Sequence, residues 1–257
     1  INLDKPTGPT SFSVSQFVKK SLSLPKTSHF GTLDPQVTGV LPVALSRACR
    51  LNEYLMHRDK TYVGIMRLHS QISISDLKSE LKKFIGKITQ LPPVRSRVKR
   101  APRQREVKTF KILEIQGQDA LFETQVQAGT YIRKLIHDLG SKIGGAHMLE
   151  LRRTQAGIFS EEKITNLYDF ESSLSAYKSG NSNLLRSILI PGEIVATLLP
   201  SFQISPESEK KALTGSPIFP QFLTSSSKIK KDEKACAFIK DKFIGVYNIL
   251  GLTNDLC

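Results

Sequence analysis

The stretch from His29 to Pro42 reads HFGTLDPQVTGVLP and contains one carboxylate, Asp34. Gly31, Pro35 and Gly39 interrupt it at a density typical of backbone that turns instead of forming a helix. The spacing leaves several roles open for Asp34: a turn residue, a helix cap, a metal ligand, a general base or a nucleophile. Turn stabilisation is the commonest of these roles.

Length and composition indicate a folded protein with one large and one small domain. The chain has 257 residues, enough for a sizeable core, with 39% hydrophobic and 23% charged residues. It contains no apolar run of about 18 residues, so we expect no membrane-spanning helix, and its first residues lack an apolar signal core. The three cysteines, Cys49, Cys236 and Cys257, are far apart, which favours a reducing compartment and argues against a disulfide framework.

The charge balance predicts a polyanionic partner. The formal net charge is +14, and RNA or DNA is the commonest partner of so basic a chain. The densest basic run, Gln90 to Lys111, reads QLPPVRSRVKRAPRQREVKTFK. Such a run can wrap a phosphate backbone; the alternative is a solvated surface loop on a merely basic protein.

Hydrophobic periodicity predicts mixed secondary structure. One helix is predicted in the segment that starts at Thr10, with Ser11 or Ser13 as its cap. A second is predicted from Ser75, which would be its cap. A third is predicted from Tyr131 and would end at Gly144. Strands are predicted at 61–68, at 109–116 and 120–128 as a hairpin, at 194–202, and at 234–250 with a turn at 240–242. We predict loops at 173–183 and, lysine-rich and mobile, at 225–234.

Two further stretches carry candidate functional residues. In GTYIRKLIHDLG, Arg133 lies at the edge of an apolar stripe, where it could reach a carboxylate, although an ordinary exposed arginine is commoner. In AHMLELRRTQAG, Arg152 and Arg153 follow a short apolar segment. His147 has no second ligand at metal-binding spacing, so we predict no metal site.

Six stretches, in order along the chain, resemble the TruB/dyskerin family of pseudouridine synthases. They read KPTGPTS, GTLDPQVTGVLPVAL, TYVGIMRL, QLPPVRSRVKR, AGTYIRKLIHDLG and GAHMLELRRTQAG, and they span Lys5 to Gly157. Six ordered matches are far more specific than any one short motif. The sequences of these stretches are most similar to the archaeal and eukaryotic branch of the family, which is the catalytic subunit of box H/ACA guide-RNA particles. Within that branch they resemble the archaeal members more.

The resemblance assigns roles to residues within the matched motifs. Asp34, in GTLDP, matches the catalytic aspartate. Tyr62 matches a tyrosine that stacks on the uracil and can transfer protons, and Arg133 matches an arginine that pairs with the aspartate. Leu151 matches an apolar wall of the pocket. The reaction detaches uracil from its ribose and rejoins it through carbon, so the resemblance implies no cofactor.

Other positions match the substrate pocket and the RNA-binding surface. His29 lies where tRNA-modifying relatives carry a histidine that helps evert the base. Lys5 matches a lysine that is either structural or near the site, and we group it with the substrate pocket. The basic run matches a thumb loop that grips substrate RNA. The predicted RNA-binding residues are Arg95, Arg97, Lys99, Arg100, Arg103, Arg105, Arg152 and Arg153.

The resemblance also implies an architecture and partners. We expect an α+β fold: a catalytic domain at 1–190 with a mixed, largely antiparallel sheet (the pseudouridine synthase fold), and a small β-rich PUA-like RNA-binding domain at 191–257. Expected partners are substrate RNA, a box H/ACA guide RNA and small accessory proteins of the particle, including a kink-turn-binding subunit similar to a ribosomal protein. We expect no membrane partner. The location would be cytoplasmic in an archaeon, which the wording favours, or nucleolar in a eukaryote.

Three alternatives remain open at this stage. The nearest is a stand-alone tRNA enzyme acting on the T-loop uridine. A second is a non-catalytic RNA scaffold that keeps the fold, and a third is a nucleic-acid-binding module unrelated to RNA modification.

Overall fold

The structure is a computed structural model that describes residues 1–93, 99–226 and 229–251. The chain folds into two compact units, Ile1–Leu189 and Ile190–Cys257. Among the described residues, no helix has the length and apolar character needed to cross a membrane.

The first unit is built on one large sheet. Its strands run in the order β1-β3-β8-β4-β7-β6-β5, with β2 added on β3 and β9 on β8. Every pairing is antiparallel except β3 with β8, so the prediction of a largely antiparallel sheet is confirmed. The strands are β1 Asn2–Lys5, β2 Thr27–His29, β3 Thr38–Leu45, β4 Lys60–Leu68, β5 Gly86–Gln90, β6 Arg103–Gln116, β7 Asp119–Val126, β8 Ala146–Ala156 and β9 Phe159–Ser160.

Helices pack against this sheet through apolar stripes. On the helix that carries Arg133, the side chains of Ile132, Leu135, Ile136 and Leu139 are buried, as the sequence predicts, because residues three and four apart share one face. The helices of the first unit are α1 Ser11–Ser21, α2 Asn52–Leu55, α3 Ile74–Lys82, α4 Ile132–Gly140, α5 Leu167–Lys178 and α6 Asn183–Ile188, with 3₁₀ turns at Ser46–Leu51 and Glu161–Lys163.

Several predicted helix ends are wrong by a few residues. Thr10, not Ser11 or Ser13, caps α1 by accepting a hydrogen bond from the Ser13 amide. Ser73, not Ser75, caps α3. Helix α4 ends at Gly140 instead of Gly144. Strand β8 begins directly against that end, since a Cβ on Gly140 would lie 2.4 Å from the amide nitrogen of Ala146.

The predicted loop at 173–183 is also wrong over its first half. Helix α5 continues to Lys178, with Asn166 as its cap and Phe170, Ser173 and Leu174 buried. The polar composition of the segment hid an apolar face at helical spacing, which supplies the packing energy that keeps the helix formed.

The second unit is a small β-rich body with its own apolar core, centred on Phe202, Ile204 and Ala237. The predicted strand at 194–202 is wrong, since Gly192–Thr197 forms a 3₁₀ turn and the strand starts at Ser201. The predicted pair at 234–250 is confirmed as a hairpin. The sheet order is β11-β10-β12-β13, from β10 Ser201–Ile204, β11 Leu223–Ser226, β12 Lys234–Ile239 and β13 Lys242–Asn248, together with α7 Glu209–Leu213 and 3₁₀ turns at Pro206–Ser208 and Pro220–Phe222.

Candidate active site

Asp34 and Arg133 form an ion pair in the first unit. The Arg133 Nη2 atom donates to Asp34 Oδ2 at 2.6 Å, and the side chains of Arg133 and Asp34 are 58% and 49% exposed respectively. The structure therefore selects the carboxylate-binding role for Arg133 over that of an ordinary exposed helix arginine. Because both groups face solvent, the carboxylate is oriented and yet open to an incoming ligand.

The carboxylate stands on a loop that buried side chains hold from beneath. We call residues 30–37, between β2 and β3, the Asp34 loop. Lys5 Nζ donates to the carbonyls of Pro35 and Val37 at 3.0 and 2.9 Å. The Ser11 hydroxyl accepts from the Leu33 amide at 2.7 Å and donates to its carbonyl at 2.9 Å.

Lys5 is a support of this loop and not a wall of an open pocket. Its side chain is fully buried, so the structure agrees with the structural role that the sequence left open and not with a place in the wall of the substrate pocket. Burial lowers the pKa of Lys5, and the nearby Asp34 carboxylate opposes that shift. Lys5 thus places a positive charge behind the carboxylate.

Arg153 also lies under the loop, and the prediction that it binds RNA is wrong. Its side chain is 1% exposed, so its guanidinium is not available to a phosphate. It donates from Nε to the Val40 carbonyl at 2.8 Å and from Nη2 to the Gly31 carbonyl at 3.0 Å. A Cβ atom on Gly31 would lie 3.4 Å from Arg153 Nη1 and 3.5 Å from Lys60 Cε.

Lys60 is a second buried cation at this corner. Its Nζ atom donates to the carbonyls of Met56 and Arg58 at 2.6 and 2.5 Å. Burial, together with the neighbouring Arg153 guanidinium, lowers the pKa of Lys60 to about 8, whereas Asp59 acts in the opposite direction. The corner therefore holds two cations that repel each other.

Tyr62 and Leu151 belong to the buried face of the sheet. Tyr62 lies on β4 and Leu151 on the adjacent strand β8, and their exposed fractions are 8% and 7%. Both belong to the same apolar cluster as Leu33, which precedes Asp34, and Ile132, which precedes Arg133. The four predicted catalytic and pocket positions are therefore anchored in one continuous core.

Gln90 is a site residue that the sequence did not reveal. Its side chain is 2% exposed, and its amide accepts from the Tyr131 N–H at 3.0 Å and donates to the Tyr131 carbonyl at 3.2 Å. Tyr131 is the N-cap residue of α4, two positions before Arg133. Gln90 thus ties the end of β5 to the start of the helix that carries Arg133.

The basic run joins two paired strands. Gln90 at the end of β5 is opposite Arg103 at the start of β6, so residues 91–102 form the connection, which we call the basic loop. Lys99 and Arg100 are exposed, and Arg103 and Arg105 are partly buried. Arg95 and Arg97, also predicted to bind RNA, lie outside the described residues.

Arg152 is engaged in ion pairs within the protein. Its guanidinium donates to both carboxylate oxygens of Asp4, at 3.0 and 3.1 Å, and to Glu161 at 3.0 Å. These hydrogen bonds raise the pKa of Arg152 further. These two carboxylates already pair with the Arg152 guanidinium, and RNA binding by Arg152 stays a prediction.

His29 and His147 each lie within hydrogen-bond distance of another polar side chain. His29 Nε2 lies 3.3 Å from the Thr32 hydroxyl, at the entrance to the Asp34 loop. His147 is not isolated, because its Nδ1 lies 2.7 Å from Nε2 of His69. The described residues contain no group of three or more His, Cys, Asp or Glu side chains that could hold a metal ion.

Comparison with known families accounts for this arrangement. Residues 19–132 match the "TruB family pseudouridylate synthase (N terminal domain)", and residues 133–196 match the "tRNA pseudouridylate synthase B C-terminal domain". A protein of Pyrococcus abyssi named "Probable tRNA pseudouridine synthase B" is 41% identical over 100% of this chain and 78% of its own length. The chain belongs to the TruB family of pseudouridine synthases. The Asp34 and Arg133 motifs both fall within the matched regions.

The chain is shorter than its relatives. A protein of Nanoarchaeum equitans with the same name is 47% identical over 75% of this chain, and the match spans 56% of the relative. For a protein of Methanothermobacter thermautotrophicus the identity is 44%, over 78% of this chain and 62% of the relative.

Two solved structures share the fold. One is described as "Crystal Structure of a Cbf5-Nop10-Gar1 Complex", with 40% identity and a TM-score of 0.86 over 97% of this chain and 78% of that chain. The other is described as "Structure of H/ACA RNP bound to a substrate RNA containing 2'-deoxyuridine", with 37% identity and a TM-score of 0.85 over the same shares. The predicted α+β pseudouridine synthase fold is confirmed.

Proposed function

We propose that this chain isomerises uridine to pseudouridine in RNA. The observation that carries the proposal is the Asp34–Arg133 pair, an oriented and half-exposed carboxylate within the motifs of the TruB family. A non-catalytic scaffold would not need a carboxylate held open in this way, so the pair also argues against that alternative.

The residues of the site suit the chemistry. The C1′–N1 bond breaks, a C1′–C5 bond forms, the hydrogen on C5 leaves as a proton and N1 gains one, so the net reaction needs no oxidant and no group donor. A carboxylate near C1′ can act as a nucleophile or as a base, and Asp34 fills that role. Arg133 orients it. Tyr62 and Leu151 are 8% and 7% exposed, and their exposed edges are the apolar surface available to the uracil ring.

The positive charge of the chain supports binding to RNA. Lys99 and Arg100 are exposed on the basic loop, and phosphate contacts of this kind position a nucleic acid without reading its sequence. A target uridine must leave its stack to reach a carboxylate, at a cost of a few kcal/mol. Contacts along the basic loop offset that cost.

The finer assignment is to a guide-RNA particle. We propose that the chain acts with a box H/ACA guide RNA and small accessory proteins, including a kink-turn-binding subunit, in the cytoplasm of an archaeal cell. The relatives in the two solved structures support this. We assign residues 191–257 to a PUA-like RNA-binding domain because the second unit is small, β-rich and independently cored.

A stand-alone tRNA enzyme is the second candidate, favoured by the names of the sequence relatives. A transcript carrying tritium on uridine C5 separates the two, since isomerisation releases that hydrogen. The guided account predicts release from a guide-paired RNA only when guide RNA and accessory proteins are present. Release from a tRNA transcript by the chain without them would favour the second candidate, and release from neither RNA would contradict the proposed activity.

A further inference from the structure

Arg153 is a buried cation whose side-chain acceptors are one carbonyl near the start of the Asp34 loop and one on strand β3, which follows the loop. Its Nη2 binds the carbonyl of Gly31, near the start of the loop, and its Nε binds that of Val40, just after the loop. In the described part of the chain, no carboxylate lies within ion-pair distance of this guanidinium. A buried charge is costly, and apolar side chains often fill such sites at equal or better stability. The buried Arg153 charge is therefore better explained by the backbone that its guanidinium positions than by a contribution to the stability of the fold.

The backbone of Arg153 joins the other two parts of the site. In the sheet, Arg153 is opposite Gly39 of β3 on one side and Tyr62 of β4 on the other. Gly39 has φ +101°, and a Cβ there would lie 2.2 Å from the Arg153 carbonyl oxygen. The backbones of β3 and β8 therefore approach each other here more closely than any residue other than glycine would allow. One residue therefore links the strand of Tyr62 to the start of the Asp34 loop and to strand β3, which follows the loop.

We propose that Arg153 is a positioning residue that fixes the Asp34 carboxylate relative to Tyr62. The guanidinium holds the two carbonyls from two separate nitrogens in a rigid planar fork, whereas an ammonium offers one nitrogen and an apolar side chain offers no donor. Without it, the loop keeps its contacts to Lys5 and Ser11 but loses the side-chain link between Gly31 and Val40. The inference rests on the proposed function, because its consequence is a lower rate of uridine isomerisation.

Three variants test this inference. Arg153→Met keeps the length and removes charge and donors, and Arg153→Lys keeps the charge but not the fork. Arg67→Lys is the matched control, since Arg67 makes two hydrogen bonds to Asp119 on the same sheet, outside the site. In the complete particle, we expect the single-turnover rate of Arg153→Met to fall about 10- to 100-fold, as for a small misplacement of a reacting group. Arg153→Lys should lie between it and wild type, with RNA affinity unchanged in all three.

Amide hydrogen exchange gives a readout that does not depend on activity. The Val37 amide donates to the Asp34 carbonyl and the Gly8 amide to the Pro35 carbonyl. Both should exchange faster in the Arg153 variants, while the amides of the β6–β7 hairpin should not change. A purely structural role would instead raise exchange across the whole sheet and leave the rate per folded molecule at the wild-type value.

The outcomes separate the two proposals. Arg153→Lys carries the test if Arg153→Met does not fold. A rate within about twofold of wild type, or exchange at Val37 and Gly8 that does not change, would overturn the positioning role. If wild-type protein releases no tritium at all, the proposed function fails, whereas the exchange comparison still shows whether Arg153 fixes the loop.

Discussion

The Arg133 guanidinium lies 2.6 Å from the Asp34 carboxylate although 99 positions separate them in the sequence. Helix α4 places one partner and the Asp34 loop the other, and each is anchored by the buried residue that precedes it. Because both side chains are exposed, the pair adds little to the free energy of unfolding: an ion pair open to water contributes only about 0.2–1 kcal/mol. Its value lies in orienting the carboxylate.

Replacing Arg133 by alanine should therefore separate rate from stability. A dry ion pair would lose about 3–5 kcal/mol when one partner is removed, but this pair is half exposed. We expect Arg133→Ala to keep its free energy of unfolding within about 1 kcal/mol of wild type while the single-turnover rate falls by about 100-fold or more. Arg67→Ala, which breaks another exposed pair, serves as the control. A near-normal rate in Arg133→Ala would show that the pair has no role in the reaction.

Gln90 should couple stability to rate. Gln90→Leu leaves the Tyr131 N–H without its partner, whereas the Tyr131 carbonyl still accepts from the Leu135 amide at 3.0 Å. An unsatisfied buried group costs about 1–3 kcal/mol. We expect lower thermal stability together with a slower reaction, because the start of α4 then shifts and Arg133 moves with it. Gln155→Leu, at an exposed position on β8, is the control. Unchanged kinetics in Gln90→Leu would mean that α4 is held by its apolar stripe without help from this amide.

Lys60 should give the protein a specific pH dependence of stability. Its folded-state pKa is about 8, against about 10.4 in an unfolded chain. Between these values the unfolded chain binds more protons, so the contribution of Lys60 to the free energy of unfolding rises with pH there, by at most roughly 3 kcal/mol. Below pH 8 the full penalty of the buried charge is present.

The comparison of wild type with Lys60→Met isolates this effect, since all other lysines titrate in both proteins. Urea unfolding at pH 7.5 and at pH 10 should show that wild type gains stability relative to the variant as pH rises. Parallel profiles for the two proteins would indicate that Lys60 titrates normally.

The basic loop should set the salt dependence of RNA binding. Replacing Lys99 and Arg100 by alanine removes two exposed cations, so the slope of log affinity against log salt should decrease in magnitude by about 1.4–1.8 if each contacts one phosphate. The melting temperature should hardly change, because exposed substitutions usually alter stability by less than about 0.5 kcal/mol. Lys78 and Lys82, exposed on α3, provide the control pair. Equal slopes for wild type and the Lys99/Arg100 variant would show that these side chains do not grip RNA.

Periodic features of the fold were readable from the sequence, whereas the supports of the site were not. The stripe of α4, the alternation of β4 and the β6–β7 hairpin each repeat over several residues, which is why pattern predicts them. Gln90, Ser11 and Arg153 each make two hydrogen bonds to backbone that is distant in sequence, for example to residues 41, 22 and 122 positions away. Such contacts depend on the tertiary fold and leave no local pattern. For the same reason Arg153 was predicted to bind RNA, since its neighbourhood in sequence shows charge but not burial.

The central claim is that Asp34 supplies the reacting carboxylate, and Asp34→Asn tests it most directly. The amide has almost the same shape but can neither attack C1′ nor accept a proton as a carboxylate does. Tritium release from C5-labelled uridine should be measured under single-turnover conditions with guide RNA and accessory proteins present, with RNA affinity measured in parallel and Asp119→Asn as the control. We expect release by wild type and Asp119→Asn, none above background by Asp34→Asn, and equal RNA affinity for all three. More than trace release by Asp34→Asn would contradict the central claim.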